Sequence, residues 1–215
     1  MKTTLTCKEL FTHYPELAPL AGEIEAARQL MLATYRQGGK ILALGNGGSA
    51  ADADHIVGEL MKGFLLRRPM TEEEGATFTS ALGEEGAGLA SKLQRGIPAI
   101  SLPAQSAVLS AYANDVDPTL VYAQLVYGYG KKGDLVIALS TSGNSKNAVE
   151  AVKTARALGI ATLGFTGEKE SALSRLCDVT LRAPSCETYR VQEYHLPLYH
   201  YLCAAVEEEL FGPEN

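Results

Sequence analysis

The chain has 215 residues, 46% hydrophobic and 20% charged, which suits one globular domain with a full core. A net charge of −6 argues against a nucleic-acid surface, so any anionic ligand must be held locally, by backbone N–H groups and hydroxyls. No apolar run reaches membrane-spanning length and the N-terminus has no apolar signal region. The four cysteines, Cys7, Cys177, Cys186 and Cys203, form no CxxC pair, so the expectation is reduced thiols in a cytoplasmic protein.

Cys7 to Gln37 reads as helical, with Leu17, Ile24, Ala27 and Leu30 at helical spacing and Gly38–Gly39 as the stop. It makes residues 1–37 an N-terminal helical extension ahead of the first strand, on the outside or against another subunit. Ile41 to Leu44 is an apolar run of strand length, and Gly45, Asn46, Gly47 and Gly48 form a turn that needs nearly bare backbone. Ser49 is expected to cap a helix from Ala50 to about Leu66. A strand, a glycine turn and a helix N-terminus together make an anion site, most often for phosphate. His55 and Glu59 follow four residues apart, about 40° from each other around the helix, so they share a face.

Pro69 to Gly96 breaks the rhythm with Glu72, Glu73, Glu74, Glu84 and Glu85 among glycines and alanines. It reads as an inserted loop with a little helix, either a lid or binding segment or a merely solvated, disordered insertion, and residues 71–95 are expected to border the crevice. Ile97–Leu102 is the second strand. A helix over Ala104–Ala113 ends at Asn114–Asp115, and Leu120–Gly130 is helical. Leu135–Leu139 is the third strand and runs into Ser140-Thr141-Ser142-Gly143-Asn144-Ser145, which offers four hydroxyls just before a helix over Asn147–Leu158. Ser145 could equally be a plain helix cap in an ordinary polar turn. Ala161–Phe165 and Val179–Leu181 are strands four and five. A long helix, about Thr188 to Leu210, carries Gln192, Glu193, His195 and His200, with Pro197 as an expected kink.

Strands alternating with helices predict an α/β fold, a five-stranded parallel sheet with right-handed crossovers, in one domain over 1–215. In the order 2-1-3-4-5 the first and third strands flank the switch point, so the GNGGS and STSGNS loops would meet over one crevice. GNGGSA also fits G-x-G-x-x-A. A dinucleotide site, however, wants its second strand about twenty residues on, and here that strand begins only at Ile97. No Gly-Lys-Ser/Thr follows either loop, so a Walker A motif is absent. Gln192 and His200 lie roughly 80° apart on an ideal helix and could face one site.

GNGGSAADADH, Asn114–Asp115, GDLVIALSTSGNS and RVQEYHLPLYH, in that order, resemble the SIS (sugar isomerase) domain family and, within it, the phosphoheptose isomerases. The resemblance runs from about Gly38 to Phe211, apart from the insertion. It implies a sugar-phosphate aldose–ketose isomerase with Glu59 and His200 as the acid/base pair. It further implies zinc at His55, Glu59, Gln192 and His200. Phosphosugar contacts would fall on Asn46, Gly47, Gly48, Asn114, Asp115, Ser140, Thr141, Ser142, Ser145 and Gln192, with Ser49 in the same turn. A homotetramer with sites at subunit interfaces is also implied. A rival within the family is a non-catalytic SIS protein that binds a phosphosugar or assembles protein partners. The insertion, Lys62-Gly63 and Pro197 depart from the family pattern.

Overall fold

The computed structural model describes residues 5–212. Helix α1 (Cys7–His13) opens on a capping box between Thr6 and Glu9, and a 3-10 turn over Pro15–Leu20 leads into α2 (Ala21–Arg36). Then come β1 (Ile41–Leu44), α3 (Gly48–Met61), α4 (Glu72–Leu82), α5 (Glu84–Ala90), β2 (Ala99–Ser101) and α6 (Ser106–Asp115). The chain continues through α7 (Val121–Tyr129), β3 (Leu135–Leu139), α8 (Lys146–Ala157), β4 (Ala161–Thr166), α9 (Ala172–Leu176) and β5 (Val179–Arg182). It closes with α10 (Thr188–Phe211).

The five strands form one parallel sheet in the order β2-β1-β3-β4-β5. The central strands β1 and β3 are buried at every residue, which is why they read as continuous apolar runs. Their side chains still alternate. Ile41, Ala43, Leu135, Ile137 and Leu139 enter the core shared with α2, α3 and α10. Leu42, Leu44, Val136 and Ala138 enter the core under α7 and α8. The sheet thus leaves the carboxyl ends of β1 and β3 side by side.

Three expectations are corrected, two at α3 and one at the insertion. Helix α3 spans Gly48–Met61 instead of about 50–66, and its N-cap is Gly47, at φ +56°, a conformation in which a side chain would be strained. Ser49 lies buried in the first turn and is not the cap. The early stop has a distant cause. Glu207 of α10 accepts the N–H groups of Phe64, Leu65 and Leu66, so the chain leaves the helix at Lys62 to reach it.

The insertion is a helical hairpin, α4 and α5, not a loop with a little helix. Thr71 and Glu74 form a capping box at its start, and α4 and α5 pack chiefly on each other. An antiparallel bridge between Pro69 and Gln94 closes its base. Helix α10 runs unbroken through Pro197.

Candidate active site

The two loops at the switch point are joined. Asn46 and Asn147 exchange side-chain hydrogen bonds of 2.9 and 3.0 Å, tying the β1 turn to the first turn of α8. Tyr122 holds the turn from below, its hydroxyl donating to the Gly45 carbonyl at 2.6 Å.

In the β3 loop the hydroxyls of Ser140 and Ser145 lie 2.9 Å apart. Ser145 occupies the N-cap position of α8, yet its side chain makes no capping bond, which removes the plain-cap reading. The Ser142 hydroxyl accepts the Asn144 N–H, and Asn144 in turn accepts the Ala172 N–H, so α9 braces the loop. Gly143, at φ +64°, is pressed against Ser171, and a Cβ there would meet Ser171 Oγ at 2.1 Å. A cleft bordered by Thr141, Ser142 and Asn144 also takes in Glu168 and Lys169 from the turn after β4 and Cys186 from the segment between β5 and α10.

Helices α3 and α10 pack side by side and run the same way, with Gln192 against Gly48, His200 against His55, and Glu207 against the segment beyond α3. This registry brings together His55, Glu59 and His200. His55 Nε2 lies 3.2 Å from Glu59 Oε1 and 3.5 Å from His200 Nε2, across 145 residues of sequence. Lys62 Nζ holds the other Glu59 oxygen at 3.0 Å. The rings of His55, Tyr199 and Phe64 surround that of His200 at centroid distances of 4.9 to 5.5 Å. This partial burial lowers the His200 pKa, and the neighbouring His55 adds to the effect while Glu59 opposes it.

Gln192 is not part of this cluster. Its amide lies against Gly48, close enough that a Cβ on Gly48 would meet Gln192 Nε2 at 2.4 Å. Two helical turns, about 10 Å, separate that point from His55. Asn114 and Asp115 sit in the last turn of α6, hydrogen-bonded to each other. His195 faces the core, with Nε2 donating to the Thr166 carbonyl at 3.2 Å. Sequence reasoning missed Tyr199, Asp52, Asn147 and Lys169. For Asn147 the signal was its place in the first turn of a helix directly after STSGNS.

A parallel α/β sheet with hydroxyl and glycine loops at its switch point is matched by two family models described as SIS domain, over residues 107–206 and 16–95. The chain belongs to the SIS-domain family and groups there with the phosphoheptose isomerases. The phosphoheptose isomerase of Burkholderia pseudomallei is 35% identical over 91% of this chain and 86% of its own length. That of Aneurinibacillus thermoaerophilus is 34% identical over 98% and 92%. The solved phosphoheptose isomerase of Neisseria gonorrhoeae superposes with a TM-score of 0.73, at 30% identity and 94% coverage of both chains. The chain is accordingly an isomerase of sugar phosphates.

Proposed function

We propose that the substrate is a ketose phosphate, sedoheptulose 7-phosphate in the first instance, converted to the aldose by proton transfer through an enediolate. The meeting of His55 and Glu59 of α3 with His200 of α10, a helix far away in sequence, carries this reading. Moving a carbonyl from C2 to C1 requires a base to take a carbon-bound proton and an acid to return one to the neighbouring carbon. A carboxylate and an imidazole with a lowered pKa, set around one space, can divide those tasks. Ser140, Thr141, Ser142 and Ser145, with the Asn46–Gly47–Gly48 turn, would hold the phosphate. Binding it far from the reacting carbons fixes the sugar's other end between the two helices.

Zinc is the proposed cofactor, and the donor set suits it. His55, Glu59 and His200 are the residues that would hold it. Bonds of about 2.0–2.1 Å in a tetrahedron put neighbouring donor atoms about 3.3 Å apart, near the two spacings at His55 Nε2. As the side chains stand, among the described residues no three His, Cys, Asp or Glu groups are closed around an ion, and His55 is the member common to both pairs. When bound, zinc would polarise the sugar oxygens and steady the developing negative charge. A homotetramer belongs to the same proposal.

A panel of ketose phosphates, assayed for aldose product with and without added zinc, tests the reading. Glu59→Gln and His200→Asn should each abolish isomerisation while circular dichroism and the elution volume of the oligomer stay unchanged. Binding of the phosphosugar with no turnover on any panel member would instead indicate a phosphosugar-binding protein.

A further inference from the structure

Behind the His55 ring lies a polar chain that the proposed reaction does not use. Tyr199, buried at 1% exposure, places its hydroxyl 3.0 Å from His55 Nδ1 and 3.2 Å from Asp52 Oδ1. The other Asp52 oxygen is buried and has no hydrogen-bond partner among the described residues. Asp52 stands one helical turn before His55 on α3, and Tyr199 directly precedes His200 on α10.

The hydrogen-bond directions in this chain follow from an ionised Asp52. A tyrosine hydroxyl has one proton to give and can also accept one. The Asp52 carboxylate, when ionised, can only accept, and among the described residues Tyr199 is the donor it meets. If Tyr199 gave its proton to His55, Asp52 would be a buried anion facing only oxygen lone pairs, a costly arrangement. The hydroxyl proton therefore goes to Asp52, and Tyr199 accepts the Nδ1 proton of His55.

From this geometry we infer that Tyr199 and Asp52 are positioning residues that hold His55 in its Nδ1–H tautomer, with the Nε2 lone pair aimed between Glu59 and His200. The inference rests on the reading above for its meaning in turnover, but the tautomer itself does not. With a bare Nε2 facing a carboxylate oxygen at 3.2 Å, the space between them favours an electron-poor guest. A hydrogen-bond acceptor on the Nδ1 proton orients an imidazole and increases its basicity.

The test is nitrogen NMR of imidazole-labelled, chelator-treated full-length protein, recorded above the free imidazole pKa of about 6.5. The His55 signals are identified by their loss in His55→Gln. In the wild type, His55 should carry its proton on Nδ1. Tyr199→Phe keeps the ring and removes the hydroxyl, and should shift His55 toward the Nε2–H form.

Asp52→Asn is the sharper variant. Its amide can donate to Tyr199 Oη, freeing the hydroxyl proton for Nδ1 and moving the His55 proton to Nε2. Both variants should lower kcat by about 10- to 100-fold, with a smaller change in KM. A wild-type His55 protonated on Nε2, or a tautomer indifferent to both variants, overturns the inference. So does an unchanged kcat in a variant whose tautomer has reversed. Absence of isomerase activity in the wild type would count against the proposed function and leave the tautomer result standing.

Discussion

His195 and His200 are five residues apart on one helix, about 140° from each other around it, and that angle gives them opposite roles. His200 faces α3. His195 is fully buried against Phe165, and burial lowers its pKa from 6.5 to about 4, although its bond to the Thr166 carbonyl works the other way. The sign of the pH effect follows directly. The unfolded imidazole takes up a proton as pH falls through about 6.5, and the folded one only near 4, so between those values the unfolded state binds more protons. Stability is complete above that window and should fall by about 1.4 kcal/mol per pH unit inside it, roughly 3 kcal/mol in all. Gln at this position can keep the bond to Thr166. Urea unfolding from pH 7 to pH 4 should therefore show a shallower decline for His195→Gln than for the wild type, and parallel curves would refute this assignment. Nothing in the sequence separates the two histidines, because their roles depend on how α10 is rotated against the sheet. His55 and Glu59 were legible as a pair because their contact lies within one helix.

At the scale of elements, the site is a matter of registry between α3 and α10. Gly48 is the contact point where it can be disturbed most gently. A Cβ there would strike Gln192 Nε2 at 2.4 Å, the far end of a flexible side chain that can swing away. Replacing a helical glycine by alanine favours the helix by roughly 0.5–1 kcal/mol. Gly48→Ala should therefore leave the unfolding midpoint unchanged or raised while it displaces Gln192, and misplacement of about 1 Å near a site can cost about 100-fold in rate. Normal kinetics in this variant would take Gln192 out of the site. The serine loop makes a separate prediction. Ser142→Ala and Ser145→Ala each remove a hydroxyl donor to a charged oxygen, worth roughly 1.5–3 kcal/mol. The KM for phosphosugar should rise about 10- to 100-fold in each, and an unchanged KM would exclude the loop as the phosphate holder. The strands and both loops were legible because apolar runs, glycines and serines are local signals. The end of α3 was not, because the carboxylate that ends it, Glu207, lies more than 140 residues further on.

For the whole molecule, the segment after α3 is both the strongest tether and the entrance to the insertion. Arg68 and Glu207 form an ion pair of 2.6 Å with both side chains fully buried. The Arg68 guanidinium also donates to the carbonyls of Leu60 and Glu59, so it fixes the C-terminal turn of the helix that carries Glu59. Arg68 and Arg95 stack on Phe211, one at each end of the insertion. Gln94 accepts the Gly63 N–H beside Lys62, which pairs with Glu59, so the base of the hairpin meets the site at its acid/base end. Beyond that base the hairpin contributes little to the core, since α4 buries no residue and α5 buries only Gly86. From the sequence only a little helix is expected within residues 71–95, although Thr71-x-x-Glu74 is a capping box. The Pro69–Gln94 bridge allows a clean excision, because paired antiparallel residues lie about 5 Å apart and a two-residue turn can join them. Replacing residues 71–92 by Asn-Gly should keep Arg68, Gln94 and Arg95 in place and shift stability by no more than about 1 kcal/mol, as surface changes away from buried features do. If the hairpin covers the bound sugar, kcat/KM should nonetheless fall by tenfold or more, about 1.4 kcal/mol of lost transition-state binding. Loss of cooperative unfolding would show that the hairpin belongs to the core after all. Unchanged turnover per folded molecule would reject the lid and make the hairpin an appendage to the site.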